Sequence, residues 1–248
     1  MHSKKERSKT LQSRKMPRSE VYNIDCLAAM REMPDKAFDL AIVDPPYGIK
    51  YSALAGSKKS KHGWKERTSR DWDNCVPEQD YFTELFRVSK NQIIWGGNYF
   101  NLPPTRCFLI WDKVQRIDQA DCELAWTSFQ YSARIFSYAR GNESGFAPKS
   151  IFSDKSFTNI HPTQKPIALY KWLLQNYAKQ GDRILDTHLG SGSSRIAAYD
   201  MGFDFVGYEL DTEYFDAMNK RFAAHISRPA MFAPDEMYMI EQKKLFET

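Results

Sequence analysis

The residues best suited to chemistry are Asp44-Pro45-Pro46-Tyr47, which combine a carboxylate, two prolines and an aromatic ring. They follow an apolar run at 38–43 of the kind that forms a buried strand. Because two prolines cannot continue a sheet ladder, the chain must leave the strand at Asp44. Open α/β sheets bind ligands at strand carboxyl ends, so the Asp44 carboxylate and the Pro45 carbonyl are placed to accept hydrogen bonds. The alternative is a simple Pro-Pro turn with a capping aspartate.

A second stretch, residues 183–194, predicts a strand, a glycine-containing loop and the start of a helix. Gly190 and Gly192 allow the backbone to approach a ligand without interference from a Cβ atom. A further strand predicted at 203–208 ends at Glu209. An acidic residue about 20 positions beyond a glycine loop suits a ribose diol. Alone, this combination is equally compatible with a dinucleotide enzyme.

Together these stretches resemble the β-class amino-group DNA methyltransferases, in which the catalytic Asp-Pro-Pro-Tyr motif precedes the cofactor glycine loop. The resemblance runs from about residue 21 to about residue 225. Further matching segments follow in the family's order: Ile24-Asp25-Cys26, Trp95-Gly96-Gly97-Asn98-Tyr99-Phe100, Phe108-Leu109-Ile110-Trp111-Asp112-Lys113, Glu123-Leu124-Ala125-Trp126-Thr127 and His161-Pro162-Thr163-Gln164-Lys165-Pro166. The resemblance implies a Rossmann-like α/β methyltransferase fold, with a mostly parallel sheet of about seven strands and helices on both faces.

The resemblance also implies a reaction, the transfer of a methyl group from S-adenosylmethionine to the exocyclic amine of a flipped base. Asp44 and the Pro45 carbonyl would accept hydrogen bonds from that amine and stabilise the positive charge that develops on its nitrogen. Pro46 completes the catalytic motif, and Tyr47 would stack on the flipped base. This chemistry requires no metal and no covalent intermediate.

The family links Asp at the first motif position to adenine N6 and Ser to cytosine N4. We therefore expect Asp44 to serve the methylation of adenine N6 in double-stranded DNA. The alternatives are an N4-cytosine DNA methyltransferase, a catalytically inactive DNA-binding regulator on the same fold, and an RNA methyltransferase.

Several residues are implied to bind the cofactor because they match family positions. Asp25 and Cys26 match residues that contact the adenine ring, and Glu209 suits the ribose. The segment from His161 to Lys165 matches one that lies against the methionine part, where Lys165 could receive a carboxylate. The catalytic motif and the glycine loop supply the other implied cofactor residues, Asp44, Asp186, His188, Gly190, Ser191 and Gly192.

His188 departs from the family pattern, which usually has Phe at this position. An imidazole ring can still cover a purine or methionine face, so we expect cofactor binding to survive.

Basic charge is concentrated in two segments, although the net charge is only +4. Residues 1–20 carry seven Lys or Arg and two Glu, and we expect a flexible tail there. The long loop at 48–76 follows the catalytic motif directly, and we expect it to contact DNA phosphates. Its basic residues are Lys58, Lys59, Lys61, Lys65, Arg67 and Arg70.

The domain organisation follows from these features. We expect one methyltransferase domain at 21–228 and a C-terminal tail at 229–248. Within the domain, the irregular, polar stretch at 130–160 falls where the family keeps its target-recognition region.

Composition narrows the class of protein further. The longest apolar runs are too short to span a bilayer and no signal-peptide pattern opens the chain, which predicts a cytoplasmic protein without a membrane segment. The four cysteines show no paired metal-ligand spacing, so we expect reduced thiols and no metal site. Members of the family are often dimers, so a homodimer is an open expectation. No nuclease motif is visible, so any restriction cleavage would need a separate endonuclease.

Local patterns predict the elements that must position these residues. Strands are predicted at 21–24, 38–43, 92–95, 107–111, 122–129, 183–186 and 203–208, and helices at 27–33, from Pro77, and at 167–178, 193–201 and 212–225. Charged residues between the fourth and fifth strands, such as Lys113, are expected to form surface pairs, with a role at the base pocket as the alternative.

Overall fold

The computed structural model describes residues 16–48, 76–114, 120–139, 160 and 163–227. Its strands are β1 (Ser19–Tyr22), β2 (Phe38–Val43), β3 (Ser89–Trp95), β4 (Leu109–Asp112), β5 (Cys122–Thr127), β6 (Arg134–Ser137), β7 (Arg183–Asp186) and β8 (Asp204–Tyr208). They form one sheet in the order β1-β8-β7-β2-β3-β5-β4-β6. Neighbouring strands are parallel except where β5 pairs with β3 and β4, so the expectation of a mostly parallel sheet is confirmed.

The helices lie close to their predicted positions. They are α1 (Cys26–Arg31), α2 (Gln79–Val88), α3 (Ile167–Tyr177), α4 (Ser193–Asp200) and α5 (Thr212–Ile226), with a 3-10 turn at Gly97–Tyr99. Asp25 caps the N-terminus of α1, because its carboxylate accepts a hydrogen bond of 2.8 Å from the Leu27 amide. No helix in the described ranges is both long and apolar enough to cross a membrane.

The sheet separates two hydrophobic cores. Along β2, Leu40 and Ile42 join the core that also contains residues of α3, α4 and α5. Ala41 and Val43 join the other core, with residues of α1 and α2. Successive side chains of a strand point to opposite faces, so one apolar strand serves both cores. Helices on both faces are thereby confirmed.

The direction of winding changes between β2 and β7. From β2 the chain continues to β3 on one side, whereas β7 continues to β8 on the other side. β2 and β7 pair directly in parallel, with Leu40 opposite Ile184 and Ala41 opposite Leu185. Their carboxyl ends are therefore neighbours, which is where open α/β sheets form a ligand crevice.

Strand β6 corrects the expectation that the stretch at 130–160 is irregular. It adds an eighth strand by pairing in parallel with β4, with Ile110 opposite Ile135. Only Phe136 of its side chains packs towards the core, against Trp172 of α3 at 5.4 Å between ring centroids. The four residues of β6 show no clear alternation of apolar and polar side chains, so the sequence pattern did not indicate a strand. The strand is instead stabilised by its hydrogen-bonded pairing with β4 and by this tertiary contact.

A buried ion-pair cluster links the three helices on one face. Asp200 of α4 accepts hydrogen bonds from Lys171 of α3 at 2.8 Å and from His225 of α5 at 2.6 Å. Although burial alone would raise the pKa of Asp200, its two partners lower that pKa below the usual range. This cluster lies among the helices and outside the residues that line the cavity described below.

Candidate active site

Asp44 lies at the carboxyl end of β2 with its side chain 16% exposed. One carboxylate oxygen, Oδ1, accepts a hydrogen bond from the Tyr47 hydroxyl. The other, Oδ2, accepts one from Nζ of Lys165. Burial raises the pKa of Asp44 above its usual range, and Lys165 and Tyr47 work in the opposite direction. Asp44 is thus a largely buried acceptor that depends on a cation for its ionised state.

Lys165 supplies that cation from the segment just before α3. Its side chain is only 2% exposed, and Nζ lies 3.1 Å from Oε2 of Glu123 as well as against Asp44. Burial disfavours the ammonium form, but the two carboxylates outweigh burial and raise the pKa of Lys165. The sequence suggested that Lys165 receives a cofactor carboxylate. In this structure Lys165 is paired with two carboxylates of the chain itself.

Glu123 is a site residue that the sequence reasoning did not single out. It lies on β5, and its Oε1 atom accepts a hydrogen bond of 2.8 Å from Nζ of Lys113. Burial opposes its ionisation, yet Lys165 and Lys113 lower the pKa of Glu123 to about 2. Lys113 is buried, so the expectation of a surface pair is wrong for this residue. The sequence feature that could have indicated Glu123 as a site residue is its position as an acidic residue within a strand segment that is otherwise mostly apolar.

Tyr47 is held by aromatic packing as well as by Asp44. Its ring stacks on that of Tyr99, with centroids 5.1 Å apart and planes at 15°, and meets Phe100 edge-on. Gly96 presses against the same ring, because a Cβ atom added there would lie 2.2 Å from Cε1 of Tyr47. Gly96 also has a φ of +68°, so glycine is required at this position both for backbone conformation and for space.

The glycine loop is anchored by two carboxylates. Asp186, at the end of β7, accepts hydrogen bonds from the His188 amide at 3.0 Å and from the Ser194 hydroxyl at 2.5 Å. Glu209, just beyond β8, accepts one from the Gly190 amide at 2.8 Å. These contacts fix the loop between the ends of two neighbouring strands.

His188 is partly buried in the cavity wall and held in a short hydrogen-bonded chain. Its Nδ1 atom lies 2.9 Å from the Thr187 hydroxyl, which lies 2.7 Å from the Tyr81 hydroxyl. The imidazole also packs edge-on against the Tyr81 ring at 5.4 Å. Burial lowers the pKa of His188 to about 4, so the ring is neutral at physiological pH. A neutral imidazole is, like the phenyl ring that the family usually has at this position, an uncharged planar ring.

These elements enclose a cavity of about 790 Å³. It brings together most of the predicted catalytic and cofactor-binding residues, which are Asp25, Cys26, Asp44, Pro46, Lys165, His188, Gly190, Ser191 and Glu209. Wall residues that the sequence did not single out as site residues include Thr163, Tyr170, Leu210, Asp211, Glu213 and Tyr214.

Four predicted residues lie near the cavity without lining it. They are Pro45 and Tyr47 of the motif, Asp186 beneath the loop, and Gly192, whose neighbour is Met218. His161 and the six predicted DNA-contacting residues lie outside the described ranges. Among the residues that the structure does describe, no group of three or more His, Cys, Asp or Glu is arranged to hold a metal ion.

The sheet order and the crevice at the ends of β2 and β7 define a Rossmann-like methyltransferase fold, as expected. Residues 105–220 match the N6/N4 methyltransferase family, described as DNA methylase. This match begins after the Asp44 motif and therefore does not include it.

Two known proteins illustrate the similarity. The Type II methyltransferase M2.DpnII of Streptococcus pneumoniae is 22% identical over 242 residues, covering 81% of this chain and 88% of that protein. The structure of PvuII DNA methyltransferase (cytosine-N4-specific) has a TM-score of 0.53 at 13% identity, covering 94% of this chain and 95% of that one. The family match and the relative support a DNA methyltransferase of the N6/N4 class without separating adenine from cytosine.

The buried carboxyl group of Asp186 gives a prediction about stability. Burial raises its pKa to about 7, so between its usual pKa of about 3.9 and that value the folded protein holds a proton that the unfolded chain has released. Its contribution to stability therefore falls as pH rises through this window. In the wild type, the free energy of unfolding should therefore be lower at pH 8 than at pH 5. Asp186→Asn should make this decrease smaller by roughly 3 kcal/mol, measured by urea denaturation at both pH values.

Asp39 provides the matched control for this measurement. It lies on β2, and although burial opposes the effect, hydrogen bonds from Lys90 and the Arg183 amide lower its pKa. The contribution of Asp39 to stability is lost only at acidic pH, as pH falls through its lowered pKa. Asp39→Asn should therefore show the same difference in unfolding free energy between pH 5 and pH 8 as the wild type. Equal differences for Asp186→Asn and the wild type would show that Asp186 does not titrate in this window.

Proposed function

We propose that this protein is an S-adenosylmethionine-dependent DNA methyltransferase that modifies the N6 amine of adenine in duplex DNA. One observation carries the proposal: Asp44 lies in the wall of the same cavity as Gly190 of the glycine loop and Glu209. The acceptor for an amine and the expected nucleotide-binding residues thus share one crevice, at the ends of adjacent parallel strands.

The chemistry of the cavity fits this cofactor. Its wall contains one lysine and a group of carboxylates, Asp25, Asp44, Glu209, Asp211 and Glu213. An acidic wall favours a cofactor that carries a sulfonium and an ammonium group. Ile24, Leu210 and Tyr214 add apolar surface suited to an adenine ring. When bound, S-adenosylmethionine supplies a methyl group on positively charged sulfur.

Glu209 would hold the ribose hydroxyls of this cofactor. Each of its carboxylate oxygens already accepts one backbone N–H, from Gly190 at 2.8 Å and from Asp211 at 2.9 Å. A carboxylate has about four lone-pair positions, so it retains acceptor capacity for a diol. The two backbone contacts fix the carboxylate in advance, which reduces the entropy lost on binding.

Asp44 would act on the target amine directly. The lone pair of such an amine is delocalised into the base, which makes the nitrogen a poor nucleophile. Hydrogen bonds donated by the amine to Asp44 and to the Pro45 carbonyl would localise that lone pair and stabilise the positive charge that forms on nitrogen. Lys165 works against the effect of burial on the pKa of Asp44 and so favours the ionised carboxylate that an acceptor requires.

The choice of adenine rests on Asp at the first motif position, as in the resemblance. The fold itself does not select the base, because the structurally similar PvuII enzyme is described as cytosine-N4-specific. DNA as the partner is supported by the family match and by the basic residues of the segment at 48–76, and the duplex form is part of the proposal.

The decisive experiment is transfer of labelled methyl from S-adenosylmethionine to unmethylated, PCR-amplified duplex DNA, followed by nucleoside analysis. We expect N6-methyladenine as the product. N4-methylcytosine would correct the base while preserving the class of enzyme. Absence of transfer to DNA despite saturable cofactor binding would overturn the proposal, and parallel reactions with RNA would reveal an RNA substrate.

Asp44→Asn should lower the rate of methyl transfer at least roughly 100-fold, because one fixed acceptor charge is removed where positive charge develops. The rate is measured under single-turnover conditions with saturating cofactor, so that binding and chemistry are separated. Asp39→Asn is the control, since Asp39 lies on β2, the strand that leads to Asp44, and pairs with Lys90 outside the cavity. A full rate for Asp44→Asn would exclude the carboxylate from the chemistry.

The neutral state of His188 predicts how the departure from the family pattern affects binding. His188→Phe should bind S-adenosylmethionine within several-fold of the wild type, because it replaces one uncharged ring with another. His188→Ala should weaken binding about tenfold or more, since stacking on an aromatic ring contributes about 1–3 kcal/mol. Isothermal titration calorimetry at pH 7.5 measures both. Equal affinities for the Ala variant and the wild type would place the ring outside the cofactor contact.

A further inference from the structure

Four charges, two buried and two partly buried, alternate in sign from the loop after β4 to the proposed reaction centre. Nζ of Lys113 lies 2.8 Å from Oε1 of Glu123, whose Oε2 atom lies 3.1 Å from Nζ of Lys165. The same Lys165 ammonium donates to Asp44. The most exposed of these side chains, Glu123, is 24% accessible, so the four charges interact in a medium of low polarity.

We propose that Glu123 is a positioning residue for methyl transfer: it holds Lys165 against Asp44 and balances the ammonium charge beside the target amine. The inference rests on the proposed function and adds a residue to it. Glu123 does not line the cavity, so it acts through Lys165 and not by touching the cofactor.

The geometric part of this role follows from the flexibility of lysine. A lysine ammonium on its four-carbon stem has many rotamers, and one carboxylate partner leaves much of that freedom. Lys165 instead meets carboxylates from two strands, Asp44 after β2 and Glu123 on β5. Two fixed partners therefore define where the ammonium lies, and through it where the Asp44 carboxylate points.

Lys113, at the end of the chain of charges most distant from Asp44, is also held in place by its surroundings. The Lys113 amide donates to the Asp121 carbonyl at 2.9 Å, and its Nζ lies 5.4 Å from the centre of the Trp111 ring. Val114, the next residue, has a φ of +55°, an uncommon conformation for a β-branched residue that persists only where surrounding contacts impose it. Lys113 thus presents its ammonium to Glu123 from a constrained backbone.

The electrostatic part follows from counting charges. With Glu123 ionised, the two lysines and two carboxylates sum to zero beside the position of the target amine. Without the Glu123 charge the same group carries a net positive charge, which opposes the positive charge that develops on the amine. Glu123 therefore lets a cation support Asp44 without making the site electropositive.

The ionisation of Asp44 provides a readout of this role. Burial raises the pKa of Asp44, Lys165 lowers it, and Glu123 raises it. Removing Glu123 and removing Lys165 should therefore move that pKa in opposite directions. The titratable groups that face Asp44 from the surrounding elements are Tyr47, Tyr81, Glu123, Lys165, Tyr170 and Asp186.

The experiment compares Glu123→Gln, Lys165→Met and the wild type in single-turnover methyl transfer to PCR-amplified duplex DNA across pH. Glu123→Gln keeps the shape of the side chain and removes its charge. Its plateau rate should fall roughly 10- to 100-fold, as expected when a reacting group is misplaced by about 1 Å. The acidic limb of its pH profile should move to lower pH, and that of Lys165→Met to higher pH. Calorimetry should give unchanged S-adenosylmethionine affinity for Glu123→Gln.

Asp200→Asn is the matched control, because Asp200 is also a carboxylate held between Lys171 and a second basic side chain, His225, outside the cavity. It should lower the melting temperature without moving the acidic limb or the rate of the folded protein. Glu123→Asp, which keeps the charge, should retain more of the rate than Glu123→Gln.

The outcomes separate the inference from the function on which it rests. No methyl transfer by the wild type overturns the proposed function and this inference with it. An active wild type together with a Glu123→Gln variant of equal rate and equal pH profile overturns the inference alone. A Glu123→Gln variant that only loses thermal stability, like Asp200→Asn, assigns Glu123 a structural role and likewise overturns the inference.

Discussion

The parallel pairing of β2 with β7 is the constraint on which the site depends. These strands are separated by 139 residues in the chain, from Val43 to Arg183, yet Leu40 lies opposite Ile184 in the sheet. The pairing brings the carboxyl ends of both strands to one edge, so the turn that begins at Asp44 and the glycine loop line one crevice. Because β2 is apolar on both faces, helices cover both sides of it, and its end is the place where polar chemistry can begin.

Placing a carboxylate at that end has an electrostatic consequence that shapes the neighbouring strands. A buried carboxylate without a partner would take up a proton and lose its value as an anionic acceptor. Lys165 supplies the positive partner that Asp44 requires. Glu123 provides a second negative charge beside the buried Lys165, and Glu123 in turn forms an ion pair with Lys113. The chain of pairs is a poor source of net stability, because desolvation offsets much of the attraction. Its value lies in fixing the ionisation and orientation of Asp44.

The sequence predicted the features that local patterns encode. Asp44, the glycine loop and Glu209 each stand at the end of an apolar run, and such runs with proline or glycine at their ends indicate where a strand stops. Glu123 was not singled out and Lys113 was expected in a surface pair, because the ion pairs that bury them join segments distant in the chain. Strand β6 was missed for the related reason that its ladder to β4 and the contact of Phe136 with Trp172 are tertiary. The predicted DNA contacts of Lys58 and its neighbours lie outside the described residues and stay predictions.

The capacity of Asp44 to accept hydrogen bonds connects the structure of the site to its proposed chemistry. A carboxylate offers about four lone-pair positions, two on each oxygen. Tyr47 and Lys165 each take one, on different oxygens, so both oxygens retain acceptor capacity. The amine in the proposed reaction could therefore bind Asp44 without displacing the two contacts that orient it and favour its ionised form. In the proposed reaction the catalytic group would be fixed before the base arrives and would need little reorganisation. Under that condition a single charge stabilises a transition state most effectively.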